Sequence, residues 1–311
     1  MVGAGENSIL SGDMLGLRLA CGLLPIVTDG RRSLRGTARF LRFRDGWAVL
    51  NLARESDLEL LPAFTQGQVT TDDAQGLERW AAMAGKDEAL RDALDLGLAF
   101  AVLPSGPQKV NRPIRYSPSG VALSKGGVVN LSGLWAGPLA GRILSDAGSE
   151  VTILSAQNRL EPPKPVWACR FDALMRHGQT ELRVPRLSDP VAVAALERAQ
   201  VIITSSRSES LARAGITPRP DQLWLQITAY GATGMQARRI GYGDDVAVAA
   251  GGAIWAEDGT PRFQGDAFPD PLTGMLGALG VLRAQRNGEG GVVAVNLHDS
   301  AAWALGPLGE V

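Results

Sequence analysis

Two regimes of hydrophobic patterning follow one another along the chain. In the first, GWAVLNL at residues 46–52 follows an Asp45-Gly46 turn and predicts a strand, and Ser56 is placed to cap a helix reaching Phe64. A longer helical period runs from about Ala74 to Leu96 and ends at Gly97, a C′ glycine, before the apolar run LAFAVL stops at Pro104. Residues 104–127 are rich in proline and glycine with little periodicity; they predict a linker, and we place the domain boundary there. Beyond it, short valine- and isoleucine-rich runs (GVVNL, EVTIL, QVIITS, LWLQIT, GVVAVNL) alternate with amphipathic helical segments. Runs without strict alternation suit strands covered on both faces, with helices as the crossovers. The pattern predicts an α/β fold. A doubly wound, Rossmann-like parallel sheet spans residues 128–311, preceded by a smaller α+β domain over residues 1–103.

Composition narrows the class. With 311 residues, a formal net charge of -1 and 45% hydrophobic residues, the chain can bury a sizeable core and carries no overall charge suited to nucleic acid. Its two cysteines, Cys21 and Cys169, are far apart and have no partners at metal-ligand spacing, so neither a disulfide framework nor a metal site is indicated. A reducing, cytoplasmic setting fits. The segment Leu15 to Val27 contains Arg18 and lacks a small-x-small cleavage pattern, so it is expected to be a buried helix and not a signal peptide. No apolar run approaches the roughly 18 to 20 residues that span a bilayer.

One segment invites an anion. After GVVNL comes SGLWAGPLAGR, small residues leading into a helix expected to begin at Pro138. The G-x-G-x-x-G spacing is absent, and Ser155 stands on the next strand where a dinucleotide site would have an acid. On spacing alone, Gly137 and Gly141 are there for close helix packing.

Five ordered blocks carry more information: VVNLSGLWAGPLAGRILSDAGSEVTIL, QVIITSSRSESLARAGI, LWLQITAYGATG, GDAFPDPLTG and GVVAVNLHDSAAWAL. Together they resemble the family III CoA transferases, which include formyl-CoA transferase, carnitine CoA transferase and α-methylacyl-CoA racemase. DGWAVLNLARESDLELLPAF and ALRDALDLGLAFAVL resemble the start and end of that family's small domain, yet both precede the large one. The order looks circularly permuted, or like part of a tandem arrangement.

The resemblance implies an aspartyl nucleophile in a Gly-Asp pair, which falls on Gly265-Asp266. It also implies CoA as a substrate and no tightly bound cofactor, with acyl-CoA and carboxylic acid partners and an intertwined homodimer. Asp270 is expected to cap a helix from Leu272 to Arg286. In the racemases a histidine stands where Tyr242 is the closest match here, and a tyrosine resembles the transferases. GYGDD carries one extra residue, leaving Asp244 and Asp245 open as acid or base candidates. By resemblance, Arg213 meets a CoA phosphate, Ser205, Ser206 and Arg207 form the turn beneath the nucleotide, and Leu182, Arg183 and Arg186 sit near the position of a family lysine. Trp135-Ala136 replaces a glutamine-alanine pair bordering the thioester, and an indole cannot supply an amide's donor and acceptor. His177 is expected in a loop and His298 at the start of a packed helix. The readings that compete with a transferase are a non-catalytic CoA-binding or scaffold subunit, a racemase, and an unrelated nucleotide-binding oxidoreductase.

Overall fold

The structure, a computed structural model, describes residues 30–71, 73–106, 108–156, 166–206 and 208–306. The helix expected at 15–27, with Cys21, lies outside them, as does Arg207. The described chain divides into two interleaved bodies, one of residues 112–232 and 270–296, the other of residues 30–111, 233–269 and 297–306. A single cut between residues 103 and 128 therefore does not separate them.

The smaller body holds two small antiparallel sheets. β1 (Ala38–Phe43), β2 (Gly46–Asn51) and β3 (Ala99–Val102) form an antiparallel meander, and β10 (Ala253–Trp255) pairs with β11 (Pro261–Phe263). One face of β1–β3 holds Leu41, Phe43 and Phe100 against Phe64, Leu77 and Trp80, whose rings meet edge-on or tilted. The helices depart from expectation in two places. The first runs Glu55–Glu59 with Arg54 as its N-cap, and Ser56 lies inside it; the Asp57 carboxylate accepts the Arg54 backbone N–H at 2.9 Å. The period from Ala74 to Leu96 is broken at Ala84, whose extended backbone separates Ala74–Met83 from Lys86–Leu96. Asp45 holds the second helix from outside, accepting the Lys86 backbone N–H at 2.9 Å. Gly97 closes it at φ 69°, a conformation that favours glycine.

The larger body is built on a seven-stranded sheet. β5 (Val128–Asn130), β6 (Val151–Ala156), β7 (Thr180–Val184), β8 (Val201–Thr204), β9 (Leu223–Thr228) and β12 (Glu289–Asn296) are parallel. β4 (Ile114–Ala122) pairs antiparallel with β12 at the edge. Nine residues of the expected linker thus form a strand. Pro118 is tolerated there because an edge strand has ladder positions that donate to nothing. The order β7-β6-β5-β8-β9-β12 is the doubly wound arrangement, with the direction of winding reversing between β5 and β8. Ser155 is the penultimate residue of β6.

Candidate active site

In an open α/β sheet the crevice for a ligand opens beyond the carboxyl ends of the strands at the reversal point. Here that means the residues after Asn130 on β5 and after Thr204 on β8. The Asn130 side chain is buried and organises the first turn: its amide donates to the Gly137 carbonyl at 3.1 Å and its oxygen accepts the Ser132 N–H at 2.9 Å. The following helix spans Ala136–Asp146, so Pro138 is its third residue. Its missing N–H falls among the first four, which have no intrahelical acceptor. A Cβ on Gly137 would lie 2.1 Å from the Ser132 Cβ, and one on Gly141 2.5 Å from the Gln179 Oε1. Close packing accounts for both glycines.

Trp135 immediately precedes this helix and is buried, its ring edge-on to Phe171 at 4.9 Å. Ala136 is the first residue of the helix and meets the Pro269–Asn287 helix, since a Cβ on Gly274 would approach the Ala136 carbonyl to 2.6 Å. Across the switch point, Ser205 is exposed, and the Ser206 N–H donates to Thr204 Oγ1 at 3.1 Å. Trp135, Ala136, Ser205 and Ser206 therefore belong to the same end of adjacent strands. Arg213, exposed, ends the Ser208–Arg213 helix that follows. Leu182 packs into the core, while Arg183 on the edge strand β7 is ion-paired with Glu181 at 3.0 Å. That pair raises the Arg183 pKa and lowers that of Glu181. Arg186 is exposed beyond β7, two strands from the switch point.

The second group of residues lies in the smaller body. Tyr242 caps the Gly243–Ala249 helix and its N–H donates to Asp245 Oδ1 at 3.0 Å. Asn51, the last residue of β2, donates its amide to the same oxygen at 2.7 Å. Asp245 is fully buried, and burial pushes its pKa up to about 7, with the Asp244 charge adding to the effect against those two hydrogen bonds. Burial also raises the Tyr242 pKa, opposed by Arg54 and reinforced by Asp57 and Asp245. The phenol stays protonated near neutrality and is a hydrogen-bond donor there. Asp244 accepts the Ala267 N–H at 3.1 Å, which ties this helix to the turn bearing Asp266. Gly265 stands at φ 70° and Ala267 at φ 45°, so a left-handed residue flanks Asp266 on each side, and Asp266 is 1% exposed. The helix that Tyr242 caps and the turn of Gly265 and Asp266 are thus linked through Asp244. Asn51 was not among the expected residues; its only signal is a polar side chain closing an apolar strand.

Asp270 is not a cap: it is the second residue of the Pro269–Asn287 helix, half-buried, one turn before Gly274. His177 lies in a turn, and His298 is the second residue of the Leu297–Leu305 helix. Among the described residues, no cluster of His, Cys, Asp or Glu could hold a metal, and no helix is long and apolar enough to cross a membrane.

Residues 123–308, more than half of the chain, match the profile of CoA-transferase family III. The chain belongs to that family. It is similar, at 28% identity over 191 residues, to a probable fatty acyl-CoA transferase of Mycobacterium tuberculosis, Rv3272, covering 53% of this chain and 48% of that one. This family III chain thus spans about half the length of the curated relative it matches. A crystal structure of Rv3272 aligns with a TM-score of 0.48 at 25% identity, over 60% of this chain and 57% of that one. A CAIB/BAIF family protein from Brucella suis aligns with a TM-score of 0.49 at 22% identity, over 60% and 55%.

Proposed function

We propose that this chain transfers CoA from an acyl-CoA to a carboxylic acid through an aspartyl intermediate, with Asp266 as the nucleophile. The observation that carries the proposal is the burial of Asp266 between two left-handed residues, in a turn held by the Asp244 carboxylate. A carboxylate shielded from water is the more reactive nucleophile, and the same shielding protects an anhydride from hydrolysis. The Asp266 carboxylate attacks the thioester carbonyl, the carbon–sulfur bond breaks, and CoA thiolate leaves an acyl-aspartyl anhydride. The thiolate then attacks the aspartyl carbonyl, releasing the donor acid and leaving an aspartyl-CoA thioester. An acceptor carboxylate displaces the thiolate to form a second anhydride, and thiolate attack on its acyl carbon releases the new acyl-CoA and restores Asp266. Tyr242, protonated, donates to the developing oxyanion. The crevice at Trp135, Ala136, Ser205 and Ser206 takes the nucleotide of CoA, with Arg213 on its phosphate and Arg183 and Arg186 as further cations. Two copies of the chain form the working enzyme, as the resemblance implies.

A second reading moves the nucleophile to Asp270, and its position favours it. Asp270 is half-buried where Asp266 is buried, and it stands in the first turn of a 19-residue helix, whose N-terminal dipole favours a carboxylate. Gly274, one turn on, packs against Ala136 at the switch point. Transfer of label from an acyl-CoA to an acceptor acid, measured on Asp266→Ala and Asp270→Ala in parallel, separates the two readings. Loss of at least about a thousandfold in the variant lacking the nucleophile is expected. Full activity in both variants sinks the covalent route through this turn. If the purified chain retains CoA binding and shows no transfer at all, the scaffold reading takes its place; the buried indole of Trp135 in place of an amide is the feature that favours it.

A further inference from the structure

We propose that the smaller body carries a separate binding site for a phosphate-type oxyanion, formed by the guanidinium groups of Arg32, Arg39 and Arg262. Strand geometry puts them on one face. Residues 39 and 40 point to opposite sides of β1, as do 262 and 263 of β11. Phe40 and Phe263 meet on one side, their ring centroids 4.6 Å apart, so Arg39 and Arg262 share the other. Between the two strands runs the segment 30–32: the Phe40 N–H donates to the Arg31 carbonyl at 2.9 Å, and the Phe263 N–H to the Gly30 carbonyl at 2.8 Å. Arg32 bridges directly to Arg39 and so lies on its side of the ladder. Gly30 is needed for this arrangement, because at φ 79° a Cβ there would stand 2.5 Å from the Arg262 Cδ.

Two of the three guanidinium groups hold buried donors without acceptors. Arg39 Nε and Arg262 Nη1 are out of contact with solvent and have no hydrogen-bond partner. A buried N–H left in that state costs about 1–3 kcal/mol, and an oxyanion with several acceptor oxygens relieves both. Asp258 accepts from Arg262 Nη2 at 3.1 Å, and the charge of Glu78 acts on Arg39. They leave those two donors unused. Burial and then the like charge of Arg32 hold the Arg39 pKa below its ordinary value, with the Glu78 charge opposing them. A phosphate supplies both charge and forked acceptor geometry for guanidinium groups. This site stands apart from CoA transfer and uses none of the residues proposed for it.

The test is thermal unfolding of the full chain in inorganic phosphate, against chloride at matched ionic strength, with wild type, Arg39→Gln, Arg262→Gln and the exposed-residue variant Arg32→Gln. Phosphate is expected to raise the wild-type Tm by about 2–5 °C near saturation, and each substitution to weaken the apparent affinity about tenfold. Should Arg39→Gln fail to fold, the Arg32 and Arg262 variants read the same site. A parallel titration with phosphoserine distinguishes the sources: a similar shift identifies a phosphomonoester as ligand, and a shift with inorganic phosphate alone identifies the free anion. A wild-type Tm indifferent to phosphate, or a phosphate shift undiminished in the folded variants, overturns the proposal.

Discussion

Asp245 shows how a single residue can be made pH-sensitive by its surroundings. Its pKa in the fold is about 7 against an ordinary 3.8, so the folded chain holds a proton that the unfolded chain has released. Stability contributed by this group is full below about pH 4 and falls as pH rises toward 7, by at most about 1.4 kcal/mol per pH unit. Asp245→Asn keeps the shape and the partner Asn51 while removing the titration. Denaturant unfolding at pH 5 and pH 8 is expected to show the variant gaining on wild type as pH rises, and a difference independent of pH would contradict the burial argument. Its neighbours show what a sequence conceals at this scale. Gly265 and Asp266 are visible as a pair in the chain, but the link from Asp244 to Ala267 and the support from Asn51 join residues 23 and 194 positions apart. No local spacing encodes them.

At the scale of elements, β5, β6, β8, β9 and β12 were legible because they lie inside the sheet and read as apolar runs, as VIIT at β8 does, whereas β7, a mostly exposed edge strand, was not. β4 was not, because most of its side chains are exposed and its place depends on pairing with β12 more than 160 residues later. The break at Ala84 is invisible for a related reason: the helical period continues, while the turn at Asp45 fixes where the second helix starts. The Ala136–Asp146 helix was foreseen, though two residues shorter, and its glycines give a sharp expectation. Gly137→Ala places a Cβ 2.1 Å from Ser132 in a buried turn, so a loss of about 1–3 kcal/mol is expected in denaturant unfolding. A Gly137→Ala protein as stable as wild type would mean that the turn after β5 yields easily, and the packing account of that glycine would be wrong.

For the whole molecule, the chain order of the two bodies matters more than a domain boundary. Residues 233–269, between β9 and β12 in sequence, and residues 297–306, after β12, complete the smaller body. Val248 packs with Ala38, Phe40 and Val49, and Asp245 rests on Asn51. A fragment of residues 104–311 keeps Val248 and Asp245 but loses these partners. It is expected to bind a hydrophobic dye strongly and to give a poorly dispersed amide spectrum; a well-dispersed, dye-free fragment would show that the smaller body's late segments fold unaided. The central claim, a covalent aspartyl intermediate in the turn before the Pro269–Asn287 helix, is tested most directly by chemical trapping. The protein is incubated with an acyl-CoA, treated with hydroxylamine, and digested with trypsin, and the peptide from Phe263 to Arg283 is sequenced by mass spectrometry. The account predicts a hydroxamate on one carboxylate of that peptide, on Asp266 by the first reading and on Asp270 by the second. An unmodified peptide recovered from protein that is actively transferring CoA would contradict it.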